Sequence, residues 1–234
     1  MTGKDFEVHL DVTVDATGQQ VWDAIATGPG ISSWFIGRTD VDGSTVRTSF
    51  GDGWIPAGTV TTSDPPHHFA HRSDTAPDGR FIAYEYLIEA RDHSSTVLRT
   101  VTSGFLPGDD WSDEYEAMRL GTELFVATLT QYLHHFPGRT ATPITAFGPP
   151  ITDWPAAWVT LHDALGFGAA PSPGDRTADG GEVYFTNPHT LGIRTPDGLY
   201  RYLRGRHGAM VIAHELFTDT DTTGWATFLD TLHP

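Results

Sequence analysis

The feature that most limits the fold is one long amphipathic helix that follows a series of strands. Residues 114–135 contain no proline and a single glycine. The positions of one face recur there at steps of three and four residues, which is typical of a helix with one buried side. These positions are Tyr115, Met118, Thr122, Phe125, Leu129 and Tyr132. Pro137 and Gly138 end the pattern, so the sequence predicts a helix over residues 114–135.

The segments before that helix have the two-residue period of strands. Residues 6–14 alternate between apolar and polar side chains, which predicts a half-buried strand. Two short helical segments follow, around Val21–Ile25 and over residues 31–35. Further strand-length segments are separated by turn residues: 45–50, 58–63, 69–73, 80–90 and 95–105. The last two flank a short hairpin turn, so we predict an antiparallel meander.

Beyond Gly138 the composition changes. Residues 141–150 and 166–181 are rich in Pro, Gly and Ala, with a short helix predicted between them over residues 156–165. Strand patterns at 182–185, 190–194, 200–204 and 209–217 precede a closing helix at 224–232. We therefore expect two domains, 1–138 and 139–234, the second a smaller α+β lobe. The order of elements in the second domain resembles that in the later half of the first, as in a degenerate half-repeat. The second domain could be a lobe packed on the first, a dimerisation element or a separate domain.

Charge and composition exclude several classes of protein. The 30 acidic and 14 basic residues give a net charge of -16, which repels nucleic-acid phosphates and anionic lipid surfaces. The chain has no cysteine, which excludes disulfides and thiolate chemistry. Its first residues lack the apolar core of a signal peptide, and no apolar run reaches the roughly 18–20 residues that span a bilayer. We expect a cytoplasmic protein that binds neither nucleic acid nor membranes, as a monomer or a homodimer.

No catalytic or metal-binding motif stands out. G-x-S-x-G, P-loop, G-x-G-x-x-G and H-E-x-x-H patterns are all absent from the sequence. His67, His68 and His71 lie in and beside a diproline turn, where a solvated turn is the simpler interpretation than a metal site. We therefore predict no metal and no cofactor. A solvated hairpin turn is also expected for the one basic cluster, Arg201, Arg204, Arg206 and His207.

Short stretches in a defined order carry a family resemblance. They are the opening VTVDATGQQVWDAIATGPGISSWF, with its Val21–Trp22 pair and closing Trp34–Phe35 pair, the segment GTVTTSDPPHHFAHR and the segment VLRTVTSGF. Together they resemble the AHSA-type branch (homologues of the activator of a heat-shock chaperone ATPase) of the SRPBCC, START-like superfamily. The likeness covers residues 6 to about 136. The family's long helix often carries a Gly-Trp pair, whereas Gly121 is followed here by Thr122, which opens space under the helix or leaves the second part of the chain to fill it. Gly121 itself lowers helix propensity but permits a close approach of the helix to a sheet.

The resemblance implies an α+β helix-grip fold, in which a curved antiparallel sheet wraps around the long C-terminal helix and encloses a hydrophobic ligand cavity. For any single candidate, plain core packing is the simpler interpretation. The candidate cavity residues are Trp34, Phe35, Trp54, Phe69, His71, Tyr84, Tyr86, Arg99, Phe105, Trp111, Met118, Thr122 and Phe125.

Alternation leaves the direction of Arg99 undecided, because apolar side chains occupy both faces of its strand. If it faces inward, it needs a partner such as Glu85 and could orient an anionic group of a ligand.

Three functions are compatible with this fold. We rank first the binding of a small hydrophobic or aromatic molecule without turnover. A cyclase- or hydrolase-like enzyme in the same cavity comes second, with a pair drawn from His71, Tyr84 and Glu85 as acid and base. A chaperone-interacting module, implied by the family resemblance, comes third. Membership of a common fold does not choose among them.

Overall fold

The computed structural model describes residues 3–51, 53–91, 94–108, 111–205, 208–219 and 224–232. The chain forms two compact units, Met1–Thr140 and Ala141–Pro234. We call them unit 1 and unit 2.

Unit 1 is one antiparallel sheet with a long helix at its end. Its helices are α1 (Gly18–Ala26), α2 (Gly28–Ile31) and α3 (Trp111–His135). Its strands are β1 (Gly3–Val14), β2 (Arg38–Asp42), β3 (Thr45–Phe50), β4 (Gly53–Trp54), β5 (Gly58–Asp64), β6 (His68–Ser73), β7 (Phe81–Ala90) and β8 (Thr96–Pro107). The sheet order is β1-β8-β7-β6-β5-β3-β2, with β4 on β3, and α3 packs on β1 and β8. This confirms the predicted α+β helix-grip class.

Local chemistry explains where these elements begin and which side they bury. In β1 the side chains of Phe6, Val8 and Val14 are buried while their neighbours are exposed, as the two-residue period predicts. Helix α1 starts at a capping box: the hydroxyl of Thr17 accepts from the Gln20 amide at 3.2 Å, and the Gln20 side chain accepts from the Thr17 amide at 2.9 Å. The buried face of β1 is thus apolar.

Two features of unit 1 differ from the expectation. Strands β2 and β4 were not predicted from the sequence. Gly121 was expected to permit a close approach between α3 and the sheet, yet a Cβ at that position meets nothing within 4 Å. The glycine therefore leaves free space beside the helix and brings no surfaces together.

Unit 2 is a five-stranded antiparallel sheet with two helices. Its elements are β9 (Thr142–Pro150), α4 (Trp154–Ala164), β10 (Glu182–Asn187), β11 (Thr190–Arg194), β12 (Gly198–Arg204), β13 (Ala209–Leu216) and α5 (Trp225–Thr231). The sheet order is β10-β11-β12-β13-β9. Strand β9 has no strand pattern in the sequence because it contains Pro143, Pro149 and Pro150. It lies at the edge of the sheet, where an unpaired side tolerates proline.

The core of unit 2 lies between one face of the sheet and the two helices. Leu161 and Leu229 from the helices and Met210, Ile212 and Val183 from the strands are all buried there.

The basic cluster predicted as a solvated turn is divided by the structure. Arg201 is fully buried and pairs with Glu215, also fully buried, so the prediction is wrong for Arg201. Arg204 is exposed and its guanidinium lies 5.0 Å from the ring centre of Trp154. Arg206 and His207 lie outside the described residues.

No helix among the described residues is long and apolar enough to cross a membrane.

Candidate functional site

Unit 1 contains an apolar cavity on the inner face of its sheet. It is divided into a large chamber of about 110 Å³ and two small chambers of about 20 Å³ each. Phe35 and Tyr84 line all three chambers. The exposed residues Asp74 and Ala76 border the large chamber, which therefore opens towards solvent.

Strands β6 and β7 supply the polar side of this cavity. His71 stands directly opposite Tyr84 and Phe69 opposite Tyr86, so the four rings share the inner face. The ring centroids of His71 and Tyr84 are 5.1 Å apart. A Cβ on Gly58 would lie 2.6 Å from Nδ1 of His71, so this glycine makes the space that the imidazole occupies. The arrangement follows from strand alternation together with one glycine.

Phe35, like Tyr84, borders all three chambers. It follows the short helix α2, and its amide donates to the carbonyl of Ile31 at 2.9 Å. Its ring centroid lies 4.5 Å from that of Phe125 on α3, 6.0 Å from that of Tyr84 and 5.5 Å from that of Trp34. Three aromatic contacts hold the ring across the middle of the cavity.

Burial keeps the polar groups of the cavity uncharged. Desolvation by burial lowers the pKa of His71 to about 4 and raises the pKa of Tyr84 to about 12. Burial, with Tyr84 adding to it, also raises the pKa of Tyr86. At neutral pH the imidazole and both phenols are therefore neutral. Within the part of the chain that the structure describes, no protein group hydrogen-bonds to these three side chains.

Charged groups lie at the border of the large chamber. Arg80, which lines it, forms an ion pair with Glu114 in the first turns of α3, and this ion pair raises the pKa of Arg80. The large chamber thus has a charged border and an uncharged interior.

Seven of the predicted candidates line the cavity: Trp34, Phe35, His71, Tyr84, Tyr86, Thr122 and Phe125. Thr122, which stands where the family often has tryptophan, borders the same small chamber as Phe125. Thr122, which replaces the tryptophan, is next to Gly121, where a Cβ would meet nothing within 4 Å.

Other candidates are placed elsewhere. Phe69 is buried against Trp22, with ring centroids 5.9 Å apart, and is part of the core. Trp111 and Met118 pack against a small cluster that includes Phe6. The side chain of Trp54 lies outside what the structure describes.

Arg99 and Phe105 lie on the face of β8 opposite to the cavity, in step with the exposed rather than the buried positions of that strand. The Arg99 side chain is 53% exposed and lies 3.8 Å from Asp11 and 3.5 Å from Glu89. Arg99 therefore takes part in surface ion pairs and orients no ligand in this cavity. Neither Arg99 nor Phe105 lines the cavity, which corrects the sequence expectation for both residues.

Glu85 is also on the outer face, where a carboxylate oxygen lies 2.7 Å from Nε2 of His68. It is removed from the set of acid and base groups that could act in the cavity. No group of three or more His, Cys, Asp or Glu residues is placed to hold a metal ion anywhere among the described residues.

Sequence reasoning missed several lining residues, among them Val46 and Thr48 on β3, Ile55, and Ile82 on β7. Alternation could have found three of them. Val46 and Thr48 are separated by the exposed Arg47, and Ile82 stands two residues before Tyr84 on the same face.

Comparison with known proteins gives similarity in structure only. No protein-family model matches the chain, and no curated protein matches it. DynU16, a protein from the dynemicin biosynthetic locus, is 20% identical and similar over 97% of this chain and 96% of its own, with a TM-score of 0.46. BexL, a di-domain ARO/CYC protein from the BE-7585A biosynthetic pathway, is 14% identical over 92% of this chain and 86% of its own, with a TM-score of 0.47.

The Aha1 dimer from Colwellia psychrerythraea is 18% identical over 55% of this chain and 96% of its own, with a TM-score of 0.45. At these identities each likeness concerns the fold alone.

Proposed function

We propose that unit 1 binds a small, neutral aromatic molecule in its cavity. The observation that carries the proposal is the combination of aromatic walls with three neutral polar groups that no described protein group satisfies. Concave apolar sites with a few convergent polar groups are the usual form of small-molecule sites. His71 can accept or donate one hydrogen bond, and the phenols of Tyr84 and Tyr86 can each do the same.

The cavity volume sets the size of the ligand. An engineered apolar cavity of about 150 Å³ holds one benzene ring. The large chamber, at about 110 Å³, is close to that size, and the two small chambers lie behind Phe35. One substituted ring therefore fits with small adjustments, whereas a two-ring ligand requires Phe35 to move.

The neutral interior sets the charge of the ligand. A buried carboxylate needs a paired cation, and the cationic group that lines the large chamber, Arg80, is already paired with Glu114. We therefore expect p-cresol to bind at least about tenfold more tightly than benzoate of similar size, a difference of about 1.4 kcal/mol.

Calorimetric titration of the full chain with p-cresol, toluene and benzoate tests the proposal. Binding of p-cresol in preference to both others, reduced when Tyr84 is changed to Phe, supports it. The matched control is Leu87→Ala, since Leu87 lies on the outer face of the same strand and is 39% exposed. Equal binding to the Tyr84→Phe and Leu87→Ala variants and the native chain would place the ligand elsewhere.

An enzyme using the same cavity is the second candidate, and the contact between His71 and Tyr84 is the observation that favours it. Proton transfer at neutral pH works best with groups whose pKa values lie near 7. The pKa values of about 4 and about 12 lie far from that range, which supports binding over acid–base catalysis. Loss of turnover without loss of affinity in His71→Gln would reverse this ranking.

The AHSA-type resemblance supports a third candidate, a module that acts on a chaperone. It predicts stimulation of a chaperone ATPase in a mixed assay, and an unchanged ATPase rate removes it. A homodimer and a cytoplasmic location stay predictions from the sequence.

A further inference from the structure

Unit 2 has a pocket of about 240 Å³ of its own, between the sheet and α5. Four aromatic rings line it. Tyr200 and Tyr202 come from one face of β12, and Trp225 and Phe228 come from one side of α5. The ring centroid of Trp225 lies 6.0 Å from that of Tyr200 and 6.2 Å from that of Phe228. The ring centroids of Phe228 and Tyr202 are also 6.2 Å apart. We call these four residues the aromatic box.

A carboxylate stands beside the aromatic box. Asp179 lines the same pocket, is exposed, and accepts a hydrogen bond from the hydroxyl of Thr177. Burial raises the pKa values of Tyr200 and Tyr202, and the negative charge of Asp179 adds to the rise for both phenols. Asp197 adds a further negative charge near Tyr200.

Among the described residues, no lysine, arginine or histidine lines the pocket, and the nearby Arg176 donates to the Gly180 carbonyl and pairs with Glu182. His214 lies beneath the rings, 4.5 Å from Trp225 and 4.8 Å from Tyr200 between centroids, and is fully buried. Burial and the neighbouring Arg201 keep the pKa of His214 well below its ordinary value, so the imidazole is neutral. Arg201 is committed to the buried Glu215.

Besides the four rings, the pocket is lined by the hydroxyl-bearing residues Thr177 and Thr195, and the hydroxyl of Thr177 already donates to Asp179. Nδ1 of His214 accepts from the Arg201 amide at 3.0 Å, which leaves the proton on Nε2. Within the described part of the chain, that Nε2 and the Nε1 of Trp225 have no hydrogen-bond partner, and both atoms are buried. An acceptor group of a ligand cannot reach them without rearrangement, whereas a cation needs only the faces of the rings and the carboxylate.

We infer that unit 2 carries a second binding site, for a small organic cation of the alkylammonium class, formed by the aromatic box and Asp179. Aromatic faces attract quaternary and protonated ammonium groups through the ring quadrupole, and the attraction grows when the cation is desolvated. Asp179 adds a charge of opposite sign at the border. The site is independent of the cavity in unit 1, because no residue of that cavity takes part.

The test compares choline with its neutral isostere 3,3-dimethylbutan-1-ol, which has the same shape without the charge. Calorimetric titration of the full chain should show choline binding at least about tenfold more tightly than the isostere. Trp225→Leu keeps an apolar side chain and removes the ring, so it should abolish that preference. Asp179→Asn should weaken choline binding severalfold and leave the isostere unchanged.

Asp219→Asn is the matched control, since Asp219 is exposed, lies in unit 2 and does not line the pocket. If Trp225→Leu does not fold, as judged by circular dichroism, Asp179→Asn decides the matter alone, because its carboxylate is at the surface. Equal affinity for choline and the isostere, no saturable choline binding, or tighter binding of indole than of choline would each overturn the assignment.

Discussion

Replacing Phe35 by alanine tests how the cavity of unit 1 is divided. The ring of Phe35 borders all three chambers and contacts three other aromatic rings. Removing it should join the chambers into one space. The variant should therefore be less stable than the native chain and accept a larger ligand.

Both effects have an expected size. Truncating a core phenylalanine to alanine costs about 3–5 kcal/mol. Because Phe35 is half-buried, we expect the substitution to lower the free energy of unfolding by about 3 kcal/mol. A ligand ring that fills the space regains about 1.5–3 kcal/mol of apolar burial. Binding of 2-naphthol, which has two rings, should improve about 10- to 100-fold over the native chain.

Urea denaturation and calorimetric titration with 2-naphthol measure the two quantities on the same preparations. Leu87→Ala, on the outer face of β7, should cost about 1 kcal/mol or less and leave 2-naphthol binding unchanged. A Phe35→Ala variant that loses less than about 1 kcal/mol and binds 2-naphthol no better than the native chain would refute the idea that this ring partitions the cavity.

Three further changes have defined outcomes. Gly121→Ala should raise the free energy of unfolding in urea by about 1 kcal/mol, since alanine favours the helix and its Cβ meets nothing within 4 Å; a loss of stability would contradict that free space. Burial lowers the pKa of His71 from 6.5 to about 4, so the unfolded chain takes up the proton at a higher pH than the folded chain does. As pH falls from 6.5 to 4, the free energy of unfolding of the native chain should therefore drop by up to about 3 kcal/mol more than that of His71→Gln, and parallel pH profiles would contradict this. Arg201→Met should cost about 3–5 kcal/mol by removing the partner of the buried Glu215, whose pKa burial raises to about 8, and adding Glu215→Leu should recover most of the loss; equal losses in both variants would show that the pair is not coupled.

Periodicity and turn residues were enough to predict most of the elements. The strands over residues 45–50 and 190–194 begin and end where the alternation predicts, because each is bounded by residues that break the pattern. Strand β9 escaped because its prolines look like a loop, and only the sheet order shows that the strand is at an edge. Local sequence cannot supply that position, which depends on pairing with β13.

The site was predicted in part for a similar reason. Large aromatic side chains such as Tyr84 stand out in the sequence, and alternation places them on one face once a single residue is fixed. The direction of Arg99 stayed undecided because both faces of β8 carry buried apolar residues, including Val97 and Leu98. The burial of Arg201 could not be seen either, since its partner Glu215 lies on the next strand and is brought close only by the β12–β13 register.

The most direct test of the ligand cavity is ¹⁹F NMR of the full chain labelled with 3-fluorotyrosine and titrated with p-cresol. Signals are assigned with Tyr84→Phe and Tyr86→Phe, and Tyr200 and Tyr202 report on unit 2 in the same spectra. We expect the resonances of Tyr84 and Tyr86 to shift in a saturable way while those of Tyr200 and Tyr202 stay fixed. Unchanged resonances for Tyr84 and Tyr86 at saturating p-cresol, or shifts confined to unit 2, would contradict it.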